Sequence, residues 1–404
     1  MPFTLFLLFP LSGQSADFHI DSSLLGQVRK NSEGQTEVPI NGYLGFAVAQ
    51  PSWRLSSETN MRLFRDFDQK INDYDLYQAV LHINPTEPLK IDFGRQFVNQ
   101  GFSVETLDAI RLTLTAIDPL AVTLYSGIPR SVERGDFNKD DGLLTGLSLA
   151  LRDLGGTRGA LHVAWRKNSI QLSDLQNDQV FTGLNISHRF NVKSSPMIYG
   201  LFEYDATGKT VNSGTAGVDI YPSHRLALNA EFDYYDINRK YDRRTIFGTF
   251  TKGGLISGRF SSTVTLVPGW LDFVETYAYQ SVAIQEGIRK NGHLLDTSLE
   301  INIDTIGFTF GPGYYFAKSF GGQVHGIRFF GQEQFTEKWT ADLGVDYSQY
   351  KKVTNDNDYA FSTIAWTGYE VVKGLTVSGG FEFNQNNLFN KDTRGSFKID
   401  YRFN

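Results

Sequence analysis

Seven histidines, His19, His82, His162, His188, His224, His293 and His325, are the residues best suited to bind a metal or relay a proton, and each stands singly along the chain. No two fall at the spacing that would place both rings on one ion. There is no cysteine, which removes thiolate ligands, thiol nucleophiles and disulfides together. Serine is plentiful, yet no G-x-S-x-G elbow presents one as a nucleophile.

The stretch "GDFNKDDG" from Gly135 sets Asp136, Asn138 and Asp140 at alternate positions, as oxygen ligands are set in calcium loops. Asp141, however, stands where the tight turn needs glycine, and Leu147 stands where a bidentate glutamate would close the shell. It reads as a solvated loop. The expectation is therefore a protein that is not an enzyme, with no catalytic residue, no metal site and no cofactor bound by this chain.

The informative side chains are charged, and they recur on one face. Arg166 in "ALHVAWRK" follows His162 and Ala164, while Leu161, Val163 and Trp165 take the positions between. Glu231 and Asp233 oppose Leu226, Leu228, Ala230, Phe232 and Tyr234, and Glu300 opposes Leu295, Leu299, Ile301 and Ile303. Glu382 sits between Phe381 and Phe383, and Lys398, Asp400 and Arg402 sit between Phe397, Ile399, Tyr401 and Phe403. Successive residues of a strand point to opposite faces, so each segment has one wet and one greasy face. With Arg95, Arg111 and Asp346, these charges form the expected polar lining: Arg95, Arg111, Arg166, Glu231, Asp233, Glu300, Asp346, Glu382, Lys398 and Arg402.

Composition decides where the greasy faces go. The chain has 404 residues, 41% hydrophobic, 20% charged and 14% aromatic, with 39 glycines and 3 methionines. No uncharged apolar run reaches the roughly 18 residues of a spanning helix. A formal net charge of -6 gives no basic footprint for nucleic acid. The opening "MPFTLFLLFPLSGQSADF" carries an apolar core followed by Gly13 and Ser15, the pattern of a secretory leader, so residues 1–16 are expected as a signal peptide and 17–404 as a single domain.

Turn signals come at two spacings. Short ones stand at Gln50, Asn84, Asp118, Leu154, Tyr221, Thr251 and Asp304; longer polar ones start at Lys30, Arg130, Asn168, Gln285 and Lys351. Short and long connections in alternation are the rhythm of an all-β, antiparallel, up-and-down transmembrane barrel. The count comes to about 22 strands, within roughly 18 to 26. Leu255 to Glu286 holds either one long strand or a pair. Tyr43, Trp53, Tyr74, Tyr77, Tyr125, Tyr221, Trp339, Tyr347, Tyr369 and Tyr401 lie near turns, as residues of an interfacial girdle would. A soluble sandwich of this length would divide into units with linkers, and nothing in the chain divides.

The terminal "FKIDYRF" resembles the C-terminal signature of bacterial outer-membrane β-barrel proteins, with Phe397, Ile399, Tyr401 and Phe403 in the alternating apolar positions and Asn404 after the aromatic that usually stands last. The resemblance implies a Gram-negative outer membrane, its lipid as surroundings, and recognition of those four residues by the barrel-insertion machinery. A second segment, "GRQFVNQGFSVETLDAIRL", is similar to segments of alginate-export-like porins and of porins encoded beside multihaem cytochromes. Gly94, Arg95, Gln96, Asp108 and Arg111 match, and Ala109 replaces a frequent glycine.

Strand number constrains use. Barrels of 16 to 18 strands leave an aqueous channel, and 22-stranded transporters carry a plug. The first strand pattern, "FHIDSSLLGQV", follows the leader directly, so no plug is expected. The expected function is a porin-like channel with a wide polar pore. Two alternatives stay open: a sheath around a multihaem cytochrome, whose haem would belong to that partner, and a polysaccharide export pore. The segment between Lys90 and Leu112 is the expected constriction, read as loop-like.

Overall fold

The computed structural model describes residues 16–30, 34–67, 70–99, 104–130, 142–167, 178–236, 254–285, 288–303, 307–319, 322–352, 357–386 and 391–403. Within them the chain is nearly all strand. It begins with β1 (Asp17–Lys30), the two-residue β2 (Thr36–Glu37) and β3 (Pro39–Gln50), turns through a 3-10 stretch at Pro51–Trp53, and returns as β4 (Leu55–Asp66) and β5 (Ile71–Thr86). Next come β6 (Leu89–Asn99), β7 (Val104–Ile117), β8 (Leu120–Pro129), β9 (Leu143–Leu154), β10 (Thr157–Lys167) and β11 (Asp178–Arg189). They lead into β12 (Met197–Asp205), β13 (Thr210–Ser223), β14 (Leu226–Asp236), β15 (Gly254–Val267), β16 (Leu271–Gln285) and β17 (Ile288–Ile303). The ring ends with β18 (Phe308–Ser319), β19 (Gly322–Thr336), β20 (Trp339–Lys352), β21 (Asn357–Val372), β22 (Leu375–Asn386) and β23 (Asp392–Phe403).

Every pairing is antiparallel and joins sequence neighbours, except at the seam. There β1 pairs with β3 on one side and with β23 on the other, from Ile20↔Phe403 to Val28↔Gly395. The result is a closed ring of 22 strands, with β2 an accessory pair against Arg29 and Lys30. Closure gives every strand of the ring a neighbour on both sides, the condition for strands to stand in hydrocarbon, with the β6-side edge of β5 before Ala79 the stretch where the ladder opens. Among the described residues no helical domain fills the ring.

The two faces sort as the alternation predicts. On β10, Leu161, Val163 and Trp165 are exposed on the outer wall, while His162 and Ala164 are buried on the inner one. On β23, Phe397, Ile399, Tyr401 and Phe403 all point outward. On β20 the outward positions read Trp339, Ala341, Leu343, Val345 and Tyr347, an apolar stretch between two amphipathic aromatics. That is the girdle, band and girdle of a membrane-crossing strand.

Three expected girdle aromatics lie elsewhere. Tyr43 is in register with lumen-facing Arg62, Tyr77 stands beside Arg62 and Asp75, and Tyr125 is buried on the inner wall. Proximity to a turn does not fix which face a residue takes; parity along the strand does.

Some connections also differ. Pro268–Trp270 is a tight turn closed by Trp270 N donating to Val267 O (3.0 Å), so the ambiguous Leu255–Glu286 region is a hairpin of two strands. The polar run from Gln285 is not a long loop, because β17 already starts at Ile288. Arg289 folds back onto β16, its Nε on Ser281 Oγ (3.0 Å) and its Nη2 on Ser281 O (2.8 Å), which satisfies a charge that the sequence places in a loop. The Thr251 turn, the Asp304 turn, the Asp136–Asp140 stretch and the leader apart from residue 16 lie outside the described residues.

Adjacent β20 residues provide a test of the two faces. Leu343→Arg, on the outer wall, is expected to lower unfolding free energy in lipid by about 2–4 kcal/mol. Asp342→Arg, on the inner wall, is expected to change it by no more than about 0.5 kcal/mol. Reversible denaturant unfolding from phospholipid vesicles measures both, and equal costs would contradict the assignment of faces.

Candidate functional site

The inner wall is polar and hydrogen-bonded across strands. Glu231 accepts from Tyr199 (2.7 Å) and from Arg259 (2.6 Å), and Asp233 accepts from Thr215 (2.8 Å) and Ser257 (3.2 Å). Arg328 holds Asp296 with two nitrogens at 2.9 and 2.6 Å, and Tyr315 donates to Asp346 at 2.8 Å. Glu382 accepts from Asn384 (2.6 Å), Lys398 meets Asp400 (2.9 Å), and Arg402 crosses the seam to Asp21 (3.1 Å). Glu300 shares this face, in register with Asp272. Carboxylates alternate with guanidinium, ammonium and hydroxyl donors, so a water-filled lumen meets a wall of mixed charge rather than a single-sign field.

One sector departs from a plain cylinder. Arg111 on β7 is in register with Asp92 on β6 and bonds it through Nε (2.8 Å) and Nη2 (2.7 Å). The same guanidinium also reaches Phe97 O at 3.4 Å. Along an extended strand, positions 92 and 97 would stand roughly 16 Å apart, too far for one guanidinium to touch both. β6 must therefore fold over toward the lumen between them. Gly94 lies there with φ of 119°, a conformation that suits glycine because it has no Cβ.

The fold line continues across the sheet. Gly94 pairs with Ala109 on β7, and Ala109 pairs with Gly127 on β8, giving a row of three small residues. A Cβ on Gly94 would stand 2.2 Å from Ala79 O, and one on Gly127 would stand 2.3 Å from Ala109 Cβ. On the β5 side, pairing stops at Ala79↔Arg95, although β5 itself continues to Ile71 beside β4.

What lies beneath the infolded sector is apolar. Val98, Leu107 and Ala109 share one buried cluster with Tyr125, Leu144 and Ala164 of β8, β9 and β10. Leu107 is 0% exposed although it occupies a lumen-facing position, so the wall at this point is covered. Glu105 on β7 bonds Arg166 on β10 with two strands between them, a reach available only on the concave side. Asp92, 1% exposed, is further held by His82 Nδ1 (2.5 Å) and Lys90 (3.4 Å). A carboxylate so enclosed needs such partners to remain charged.

Of the ten charges expected in the lumen, nine occupy the inner face: Arg111, Arg166, Glu231, Asp233, Glu300, Asp346, Glu382, Lys398 and Arg402. Arg95 stands one residue past the crease with the parity of Phe97, the face of the folded-over part that turns away from the wall beneath it, and at 6% exposure it is closed off by its partners. Asp108 captures it bidentately (2.8 and 3.1 Å) while Arg130 bonds the same carboxylate (2.7 Å), and Arg95 Nη1 donates to Leu76 O (3.1 Å) where β5 and β6 separate. It is a clamp at the edge of the infold. The expected loop-like constriction is likewise replaced by strands β6 and β7 themselves.

Sequence reading missed Asp92, Glu105 and Tyr125 as members of this sector. The available signal was the register of Gly94, Ala109 and Gly127, which needs a pairing scheme to be seen. No group of histidine and carboxylate suited to a metal ion occurs among the described residues.

No family model matches this chain, and no curated protein is similar to it in sequence. Solved structures that resemble it include OccK3 (OpdO) of Pseudomonas aeruginosa, at 10% identity and a TM-score of 0.45, with 96% of each chain covered. OccAB1 of Acinetobacter baumannii stands at 7% identity and 0.45, again over 96% of each chain. The translocation pore of the P pilus usher PapC stands at 10% and 0.49, over 96% of this chain and 99% of its own. The barrel here rests on its own strand pairings and on the chemistry of its two faces, not on these likenesses.

The infold makes a local prediction. Arg111→Ala removes the link between Asp92 and Phe97 O, a charged hydrogen-bond set worth about 1.5–3 kcal/mol. Backbone amides of residues 95–99 should then exchange with deuterium roughly ten- to a hundredfold faster, the rate equivalent of that loss, while those of β20 stay unchanged. Uniform acceleration around the ring would mean that Arg111 supports the barrel as a whole and not the infold.

Proposed function

We propose that this chain is a porin-like channel of the Gram-negative outer membrane, conducting polar solutes through a lumen narrowed on the β6–β10 side. The observation that carries the reading is the closed ring with an apolar, aromatic-rimmed outer face and a hydrogen-bonded polar inner face. Hydrocarbon accepts such an outer wall because every strand has two partners, and water accepts the inner one. The inner charges Arg111, Arg166, Glu231, Asp233, Glu300, Asp346, Glu382, Lys398 and Arg402 bias which solutes pass. The infolded sector, with Glu105 and Arg166 at its margin, sets the local width. Phe397, Ile399, Tyr401 and Phe403, outward on the closing strand, are the residues offered to the insertion machinery.

A second reading is favoured by ring size. A ring of 22 strands exceeds the 16 to 18 of channel-forming porins, which leaves space for a partner such as a multihaem cytochrome, haem being carried by that partner. The infold takes part of that space, which is why the channel is preferred.

Purified protein inserted into a planar bilayer decides between them. The channel reading expects stepwise, ohmic conductance from the isolated barrel, and the variant Glu105→Ala/Leu107→Ala, which loosens the infold, should enlarge each step. An isolated barrel without conductance, together with a haem-absorbing protein retained on purification from native membranes, would transfer the assignment to the sheath. A chain that stays monodisperse in buffer without detergent would defeat both.

A further inference from the structure

Outside the lumen, at the rim opposite the Pro268–Trp270 and Glu337–Lys338 turns, one row of side chains crosses four adjacent strands. His293 on β17 pairs with Lys318 on β18, Lys318 with Gln323 on β19, and Gln323 with Lys351 on β20. All four side chains are exposed, and their parity is that of Ile327 and Tyr347 on the outer wall. Along β20 the outward order is Leu343, Val345, Tyr347, Gln349 and Lys351, so the cation stands just beyond the aromatic that marks the edge of the apolar band.

Two further features set this strip apart. Neither Lys318 nor Lys351 meets a carboxylate within salt-bridge distance among the described residues, whereas the inner-wall cations Arg111, Arg259, Arg328 and Arg402 each do. The wall is also recessed there: Gln323, His325, Tyr347, Gln349, Lys351 and Tyr359 line a cavity of about 440 Å³. Asp358, which also borders it, is buried and accepts from Tyr359 N (2.9 Å).

We propose that this strip docks the phosphate of a membrane-lipid headgroup from the leaflet around the loop end of the barrel. The inference rests on the reading of the chain as a membrane-spanning barrel. Lys318 and Lys351 are two strands apart, roughly 10 Å at the usual strand spacing, and their flexible stems can converge on one phosphate over Gln323. His325 and Gln349 supply donors one step inward, and Tyr347 and Tyr359 receive the glycerol or sugar region above the acyl chains. Continuity with the apolar band selects a lipid phosphate over a soluble one, since the rest of such a ligand would already lie against Ile327 and Leu343.

The test uses the full chain in discs of phosphatidylcholine containing a minor fraction of lipid A. Native mass spectrometry of the released barrel should show retained lipid A. K318Q/K351Q should lower the bound-to-free ratio roughly tenfold or more, each lysine near an anionic surface contributing a several-fold factor. Lys338→Gln, at the opposite rim, should leave it unchanged. Retention that the double variant does not alter, in a barrel with unchanged conductance, overturns the proposal, as does a dimer that dissociates when these lysines are replaced. Wild-type protein that fails to enter the discs at all would instead remove the membrane reading beneath it.

Discussion

Backbone hydrogen bonding without water is the constraint from which the rest of this structure follows. A strand in hydrocarbon must have a partner on each edge, and the β1–β23 pairing supplies the last one. Once the ring is closed, side-chain parity has only two destinations. The outward set must be apolar with aromatics at its rims, and the inward set is free to be charged. Arg402 and Asp21 show both halves of this logic at the seam, because their strands are zipped by backbone bonds while their side chains meet on the wet side.

A ring this wide cannot fill its interior with side chains projecting from the wall, so width is set by how the wall itself is shaped. The infold at Gly94, Ala109 and Gly127 achieves that without a separate domain. It requires small residues along the crease, an apolar underside at Val98 and Leu107, and anchors that hold the folded part down. Asp92 is the central anchor, reached by His82, Lys90 and Arg111 from three directions. Burying that carboxylate would be costly alone; with its partners it fixes one geometry for the sector.

Much of the fold was legible in the sequence because period-two alternation is a local property. Leu161, Val163 and Trp165, or Phe397 to Phe403, declare their faces without knowledge of any neighbour, and the alternation of tight and longer connections indicates an up-and-down ring. Misreadings came where local type and global place diverge. Tyr125 lies near a turn like a girdle residue but faces inward, and the polar residues from Ile288 onward look like loop but are strand, because Arg289 finds its partners on the adjacent strand.

The sequence by itself determined that the strands have opposite faces, that they are joined in sequence order, and that charged and apolar residues alternate between those faces. Tertiary structure alone decided which small residues lie in one row, that Arg95 serves Asp108 instead of the lumen, and that β6 and β7 bend inward. The physical reason is that parity depends on the residue and its immediate neighbours, whereas a crease depends on register among three strands. Register becomes defined only when those strands pair.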